Sequence, residues 1–164
     1  MIILGIDPGL ATAGYGVVEK NGAAPLKCVD YGVIETPKNE STAVRLAMLY
    51  DGMAGLIKKY EPDCVAVEEL FFNQNAKTAI AVAEGRGVIL LAAVRECGRL
   101  YEYTPLQIKS ALTGNGRAEK PQVQYMVRAI LKIPDVIRPD DAADALAAAI
   151  CHANTNQVLK SNII

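Results

Sequence analysis

Apolar and polar positions fall into blocks that predict an ordered series of elements. Residues 2–6 are apolar around one glycine, as expected of a strand buried on both faces. Pro8-Gly9 marks a turn. Residues 14–18 read as a second strand, and Asn21-Gly22 turns the chain into a third over 26–34, giving an antiparallel meander. Residues 37–41 read as loop, with Ser41 or Thr42 placed to cap a helix. Val44, Leu46, Ala47, Leu49, Met53, Leu56 and Ile57 then recur at helical spacing as far as Tyr60. Pro62-Asp63 introduces a fourth strand over 64–68, and residues 73–76 form a loop. A long apolar helix follows from about Ala76 to Cys97. Its Gly85 and Gly87 predict close approach of another backbone, since each weakens a helix. A fifth strand over 100–103, a helix over 105–113, a break at Gly114-Asn115-Gly116, a helix over 119–132, a linker over 134–139 and a last helix from about Asp140 complete the series.

The order β-β-β-α-β-α-β-α-α-α predicts an α/β protein with a five-stranded mixed sheet flanked by helices. A chain of 164 residues is large enough for one core. A single domain over residues 1–155 is expected, with a C-terminal tail over 156–164. No charge-free apolar run reaches the roughly 18 residues of a membrane span. Met1 leads straight into a strand, without a basic segment or cleavage site, so no secretory signal is expected. The four cysteines, Cys28, Cys64, Cys97 and Cys151, are scattered and read as reduced thiols of a cytoplasmic protein. The one histidine, His152, has no motif around it and reads as a residue of the last helix rather than a catalytic base.

The net charge of −1 hides a partition. Residues 1–71 carry six basic and ten acidic side chains, residues 72–134 nine and four, and residues 135–164 two and four. The middle segment is either a basic surface for nucleic acid or an ordinary solvated helical surface.

Acids change the picture more. Asp7 ends the first strand, Glu68 and Glu69 end the fourth, and Asp141 and Asp144 open the last helix. Carboxylates at the ends of apolar strands are costly to bury unless something compensates them, and a hard divalent cation with oxygen ligands can. If strands one and four are parallel neighbours, Asp7 and Glu68 emerge at one sheet edge, and a helix across that edge would add Asp141 and Asp144, which share a face. Two ions about 4 Å apart in such a cage can activate water and stabilise a leaving oxygen in phosphodiester hydrolysis. Each acid also has a plain reading. Asp7 can start a turn, Glu68-Glu69 can be a solvated strand end, and Asp140, Asp141 and Asp144 can cap a helix, with Asp140 best placed as the cap.

The motifs carrying these acids resemble one family. Residues 3–9 (Ile-Leu-Gly-Ile-Asp-Pro-Gly), Gly14-Tyr15-Gly16, Pro62-Asp63, residues 66–71, Asn75-Ala76, residues 85–88, Gln107-Ile108-Lys109, residues 114–124 and residues 141–147 are collinear with the RuvC Holliday-junction resolvases. The resemblance implies a ribonuclease H-like fold and a Mg²⁺-dependent, homodimeric endonuclease that nicks two opposed strands of a four-way DNA junction. It implies two Mg²⁺ ions per site, replaceable by Mn²⁺, and the RuvA–RuvB branch-migration complex as partner. It selects Asp7, Glu68, Asp141 and Asp144 as metal ligands, Lys109 and Lys120 as active-site lysines, and Phe71 as the junction-facing aromatic. Asn75, Lys77, Arg86 and Arg117 are further candidates for DNA contact. Asp140 and Glu69 leave open which neighbour ligates, since only one of two adjacent strand residues faces a site. An actin-like ATPase would need a second such domain. A binding module without cleavage would not keep all four acids. A nuclease for RNA–DNA hybrids would not call for Phe71 and the lysines.

Overall fold

A computed structural model describes residues 1–69 and 76–155. Its elements follow the expected order: β1 (Ile2–Asp7), β2 (Thr12–Glu19), β3 (Lys27–Glu35), α1 (Thr42–Tyr60), β4 (Cys64–Glu68), α2 (Ala76–Glu96), β5 (Leu100–Tyr103), α3 (Pro105–Thr113), α4 (Lys120–Leu131) and α5 (Asp140–Asn154). The sheet order is β3-β2-β1-β4-β5. β1, β2 and β3 form the antiparallel meander, while β4 and β5 run parallel to β1. This is the mixed sheet that the apolar pattern predicts, in the ribonuclease H-like arrangement that the resemblance implies.

Two apolar layers sandwich the sheet, and strand alternation sorts residues between them. Ile3, Val18, Cys64, Ala66 and Tyr103 pack with α3, α4 and α5. Leu4, Ile6, Val17, Val65 and Val67 pack with α1 and α2. Ser41 is the cap of α1, its hydroxyl accepting from the Val44 amide at 3.4 Å. Gly85 meets the backbone of Leu10, as its position in α2 suggests, but Gly87 has no neighbour within 4 Å of an added Cβ among the described residues. α2 therefore buries Ile89, Ala92 and Ala93 against the sheet, while Ile80, Leu91 and Val94 are 64%, 51% and 51% exposed on its outer side.

α5 lies directly on the sheet backbone because the strands beneath it carry glycine. A Cβ at Gly5 would stand 2.0 Å from the Ala145 carbonyl oxygen, one at Gly14 2.0 Å from that of Asp141, and one at Gly16 2.7 Å from the Leu146 side chain. The helix answers with alanines: Ala142, Ala143, Ala145, Ala147, Ala148, Ala149 and Ala153 are all buried. Small residues on both sides permit this approach, which would otherwise meet side chains.

Candidate active site

β1 and β4 end together. Ile6 pairs with Val67, and the next residue of each strand is acidic, Asp7 and Glu68. Alternation puts both on the α5 side of the sheet, with Ile3, Cys64 and Ala66, and turns Glu69 away. Gly14 pairs with Asp7 across β1 and β2, and Gly14 is where the Asp141 carbonyl touches the sheet. The first turns of α5 thus lie over Asp7, bringing Asp141 and Asp144 to the strand-end acids.

Burial, reinforced by crowding of like charge, sets the electrostatics of this edge. Burial and the nearby carboxylates of Glu68, Asp144 and Asp141 push Asp7 up to about 7, with Lys120 opposing. Burial and Asp144 push Glu68 up to about 7, against Lys109 and Lys120. Asp144 is also raised, chiefly by burial, although Lys120 donates to its Oδ2 at 3.0 Å. Burial opposes the charge of Lys120, yet its contacts with Asp144 and Asp140 outweigh that and hold its pKa above the ordinary lysine value.

Asp140 departs from the sequence expectation. Pro139 holds the cap position of α5 in extended backbone, and Asp140 is the first helical residue. Its carboxylate lies 3.5 Å from Lys120 and 3.3 Å from Arg138, so ion pairing draws it away from the helix amides.

A cavity of about 250 Å³ opens beside the acids, lined by Glu68, Asp144, Lys109, Lys120, Pro105, Ile108, Val123 and Ala147. Two capped helices aim the lysines. The Thr104 hydroxyl accepts from the Gln107 amide at 3.2 Å while the Gln107 side chain accepts from the Thr104 amide, fixing the first turn of α3. Gln122 likewise accepts from the Glu119 amide at 3.0 Å and starts α4 at Lys120. The N-terminal ends of α3, α4 and α5 all meet this edge, and their positive dipole ends favour anions there.

The remaining predicted contacts are placed as follows. Phe71 and Asn75 lie outside the described residues, as does the side chain of Lys77 at the start of α2. Arg117 is exposed in the turn before α4, its amide donating to Asn115 Oδ1 at 3.0 Å. Arg86 is ion-paired with Glu102 on the α2 side of the sheet, opposite the acids. A local reading of the sequence could not find that pair, because its members belong to different elements. Among the described residues no three acid, histidine or cysteine side chains are already gathered as a metal-binding group. The acids share one electrostatic neighbourhood without converging on one point.

A pH effect on stability follows. A carboxyl whose pKa rises on folding keeps its proton in the folded state after the unfolded chain has released it, so stability falls as pH rises between the two values. For Asp7 that window runs from 3.8 to about 7. In EDTA, Asp7→Asn is expected to be the more stable protein at pH 7.5, with a higher Tm, and this advantage should vanish toward pH 4. Melting curves of both proteins across this range check it; a constant difference would contradict the assignment of the raised pKa to Asp7.

Comparisons with known proteins identify the family. Residues 3–152 match the family model described as crossover junction endodeoxyribonuclease RuvC. A protein of Desulforamulus reducens with that description is 51% identical over 163 residues, covering 99% of each chain. Another, from Desulfitobacterium hafniense, is 54% identical over 160 residues, covering 97% of this chain and 96% of its own. The solved structure of Thermus thermophilus RuvC in complex with a Holliday junction substrate superposes with a TM-score of 0.93 at 35% identity, covering 100% of this chain and 99% of the other.

Proposed function

The chain belongs to the RuvC family of crossover junction endodeoxyribonucleases, and from that premise we propose that it resolves four-way (Holliday) DNA junctions in recombination and repair. The reaction is symmetric hydrolysis of phosphodiester bonds in two opposed strands, dependent on Mg²⁺. One observation carries this reading: carboxylates from β1, β4 and α5 meet lysines from α3 and α4 at one sheet edge.

The donor set fits a hard divalent cation. It offers oxygen alone, and burial and mutual repulsion have raised the proton affinity of Asp7 and Glu68, so positive charge beside them would be stabilised. Asp7, Glu68, Asp141 and Asp144 would hold two Mg²⁺ ions, and Mn²⁺ would substitute because it takes the same ligands. When bound, the cations favour loss of a proton from the attacking water and offset charge on the departing oxygen. Lys120 has three N–H groups, so it can keep Asp144 and still donate to the scissile phosphate. Lys109, on the cavity wall, would meet charge developing on the same phosphate. Ile108, Val123 and Ala147 make the rest of that wall apolar, which strengthens these interactions.

Beyond the reacting phosphate, Phe71 would stack on a base at the disrupted centre of the junction. Asn75, Lys77 and Arg117 would contact backbone phosphates. Arg86 would do so only by leaving Glu102. Two opposed cuts need two sites related by two-fold symmetry, and one chain carries one set of acids, so the working form is a homodimer. The outer side of α2, with Ile80, Leu91 and Val94 exposed and a notch at Gly87, is the face suited to a second copy. The RuvA–RuvB complex is the partner that family membership implies, the cytoplasm the compartment, and residues 1–155 one nuclease domain. Among the described residues no helix is long and apolar enough to cross a membrane.

With Mg²⁺ the purified protein should cut a synthetic four-way junction and spare a linear duplex of the same sequence, and in EDTA it should cut neither. Equal cutting of both substrates, or full activity in EDTA, would overturn the proposal.

A further inference from the structure

α5 carries two of the acids and packs on the sheet largely through alanines. Alanine on glycine gives close packing, with Leu146 and Ile150 as the large buried side chains of the helix, and none of these apolar contacts is directional. Among the described residues only Thr36 and His152 are buried polar side chains, and His152 lies on α5. Both of its ring nitrogens are engaged. Nδ1 is 2.8 Å from the Tyr103 hydroxyl, and Nε2 is 3.2 Å from Cys64 Sγ. The Tyr101 ring lies 4.5 Å from the imidazole, centroid to centroid.

The two strand residues that His152 grips lead to Glu68 by separate routes. Cys64 begins β4, on the face that Glu68 occupies at the other end of the strand. Tyr103 pairs with Glu68 across β4 and β5, and its carbonyl accepts from the Glu69 amide at 2.8 Å. One imidazole therefore ties the helix bearing Asp141 and Asp144 to the strand bearing Glu68. We propose that His152, acting through Tyr103 and Cys64, is a positioning residue that sets the axial register of α5 on the sheet and so the spacing between the helix acids and the strand acids. The inference rests on the nuclease reading above and deepens it.

Directional hydrogen bonds suit this task better than alanine contacts, because their energy changes steeply over a few tenths of an ångström. Hard divalent cations are sensitive to the same scale of displacement. Tyr103→Phe removes one hydroxyl and leaves the ring packing in place. It should weaken Mg²⁺ binding, measured by calorimetry without DNA, by roughly tenfold, in line with losses seen when groups that orient metal ligands are removed. The rate of junction cutting at saturating DNA should fall by about as much, while junction affinity in EDTA stays within about twofold of wild type. Val127→Ala is the control. Val127 is fully buried on α4 in the same layer and has no part in the tie. It should lower Tm at least as much and leave Mg²⁺ affinity unchanged. If Tyr103→Phe fails to fold, Cys64→Ala takes its place, with a loss of roughly threefold expected from removing one weaker contact.

Wild-type Mg²⁺ affinity in the tie variant, or an equal loss in Val127→Ala, would overturn the positioning role. A wild-type protein that binds Mg²⁺ but cuts no junction would instead sink the nuclease reading, and the Mg²⁺ comparison would still decide the tie.

Discussion

Asp7→Asn will bind a four-way junction in EDTA as tightly as the unaltered protein and cut it in Mg²⁺ roughly 10³-fold more slowly, the scale of loss when a group stabilising transition-state charge is removed. The substitution is nearly isosteric, so β1 and its pairing with Gly14 should persist. What changes is charge. Asp7 is acted on by Glu68, Asp144 and Asp141 together, which makes it the common neighbour of the acid set. Replacing it with a neutral amide removes a carboxylate ligand and weakens the attraction for divalent cations. Loss of junction binding in parallel with cutting would mean that Asp7 acts through folding or DNA contact. Gel-shift titration in EDTA and single-turnover cutting in Mg²⁺ separate the two outcomes.

Gly14→Ala should be nearly as damaging, though it alters no charge. The added methyl would stand 2.0 Å from the Asp141 carbonyl oxygen, far inside contact distance, and that neighbour is helix backbone. The start of α5 must lift, carrying Asp141 and Asp144 away from Asp7 and Glu68. A displacement near 1 Å at a reacting centre costs on the order of 10²-fold in rate. Overpacking of this kind also costs about 1–3 kcal/mol in stability. Gly55→Ala is the contrast, since Gly55 lies within α1 with nothing among the described residues within 4 Å of an added Cβ. It should stabilise the protein by about 0.5–1 kcal/mol and leave cutting unchanged. Single-turnover rates and Tm of the two variants check both statements; equal activity would remove the glycine contact from the account.

The element order was legible because each piece announces itself locally. The meander shows in its turn glycines, α1 in its apolar spacing, and β4 in a run opened by Pro62 and closed by Glu68. Alternation along β4 bears on the pair Glu68 and Glu69 once Cys64 and Ala66 are known to face α5. What stayed illegible depends on elements distant in sequence. Gly5, Gly14 and Gly16 look like weak points of strands until a helix is known to cross them. Arg86 looked available for DNA until Glu102 came beside it from β5. Asp140 was well placed to cap α5, but Lys120 and Arg138 hold its carboxylate and Pro139 takes the cap position. His152 read as an ordinary helix residue because Tyr103 and Cys64 reach it from other strands.

The proposed reaction uses one set of four acids per chain twice, across a dimer. A synthetic four-way junction labelled on each strand in turn, cut with Mg²⁺ and mapped to the nucleotide, tests that most directly. The predicted result is a pair of nicks at symmetry-related positions on two opposed strands, with the other two strands intact. Nicks on one strand alone, on adjacent strands, or at positions unrelated by the two-fold axis would contradict it.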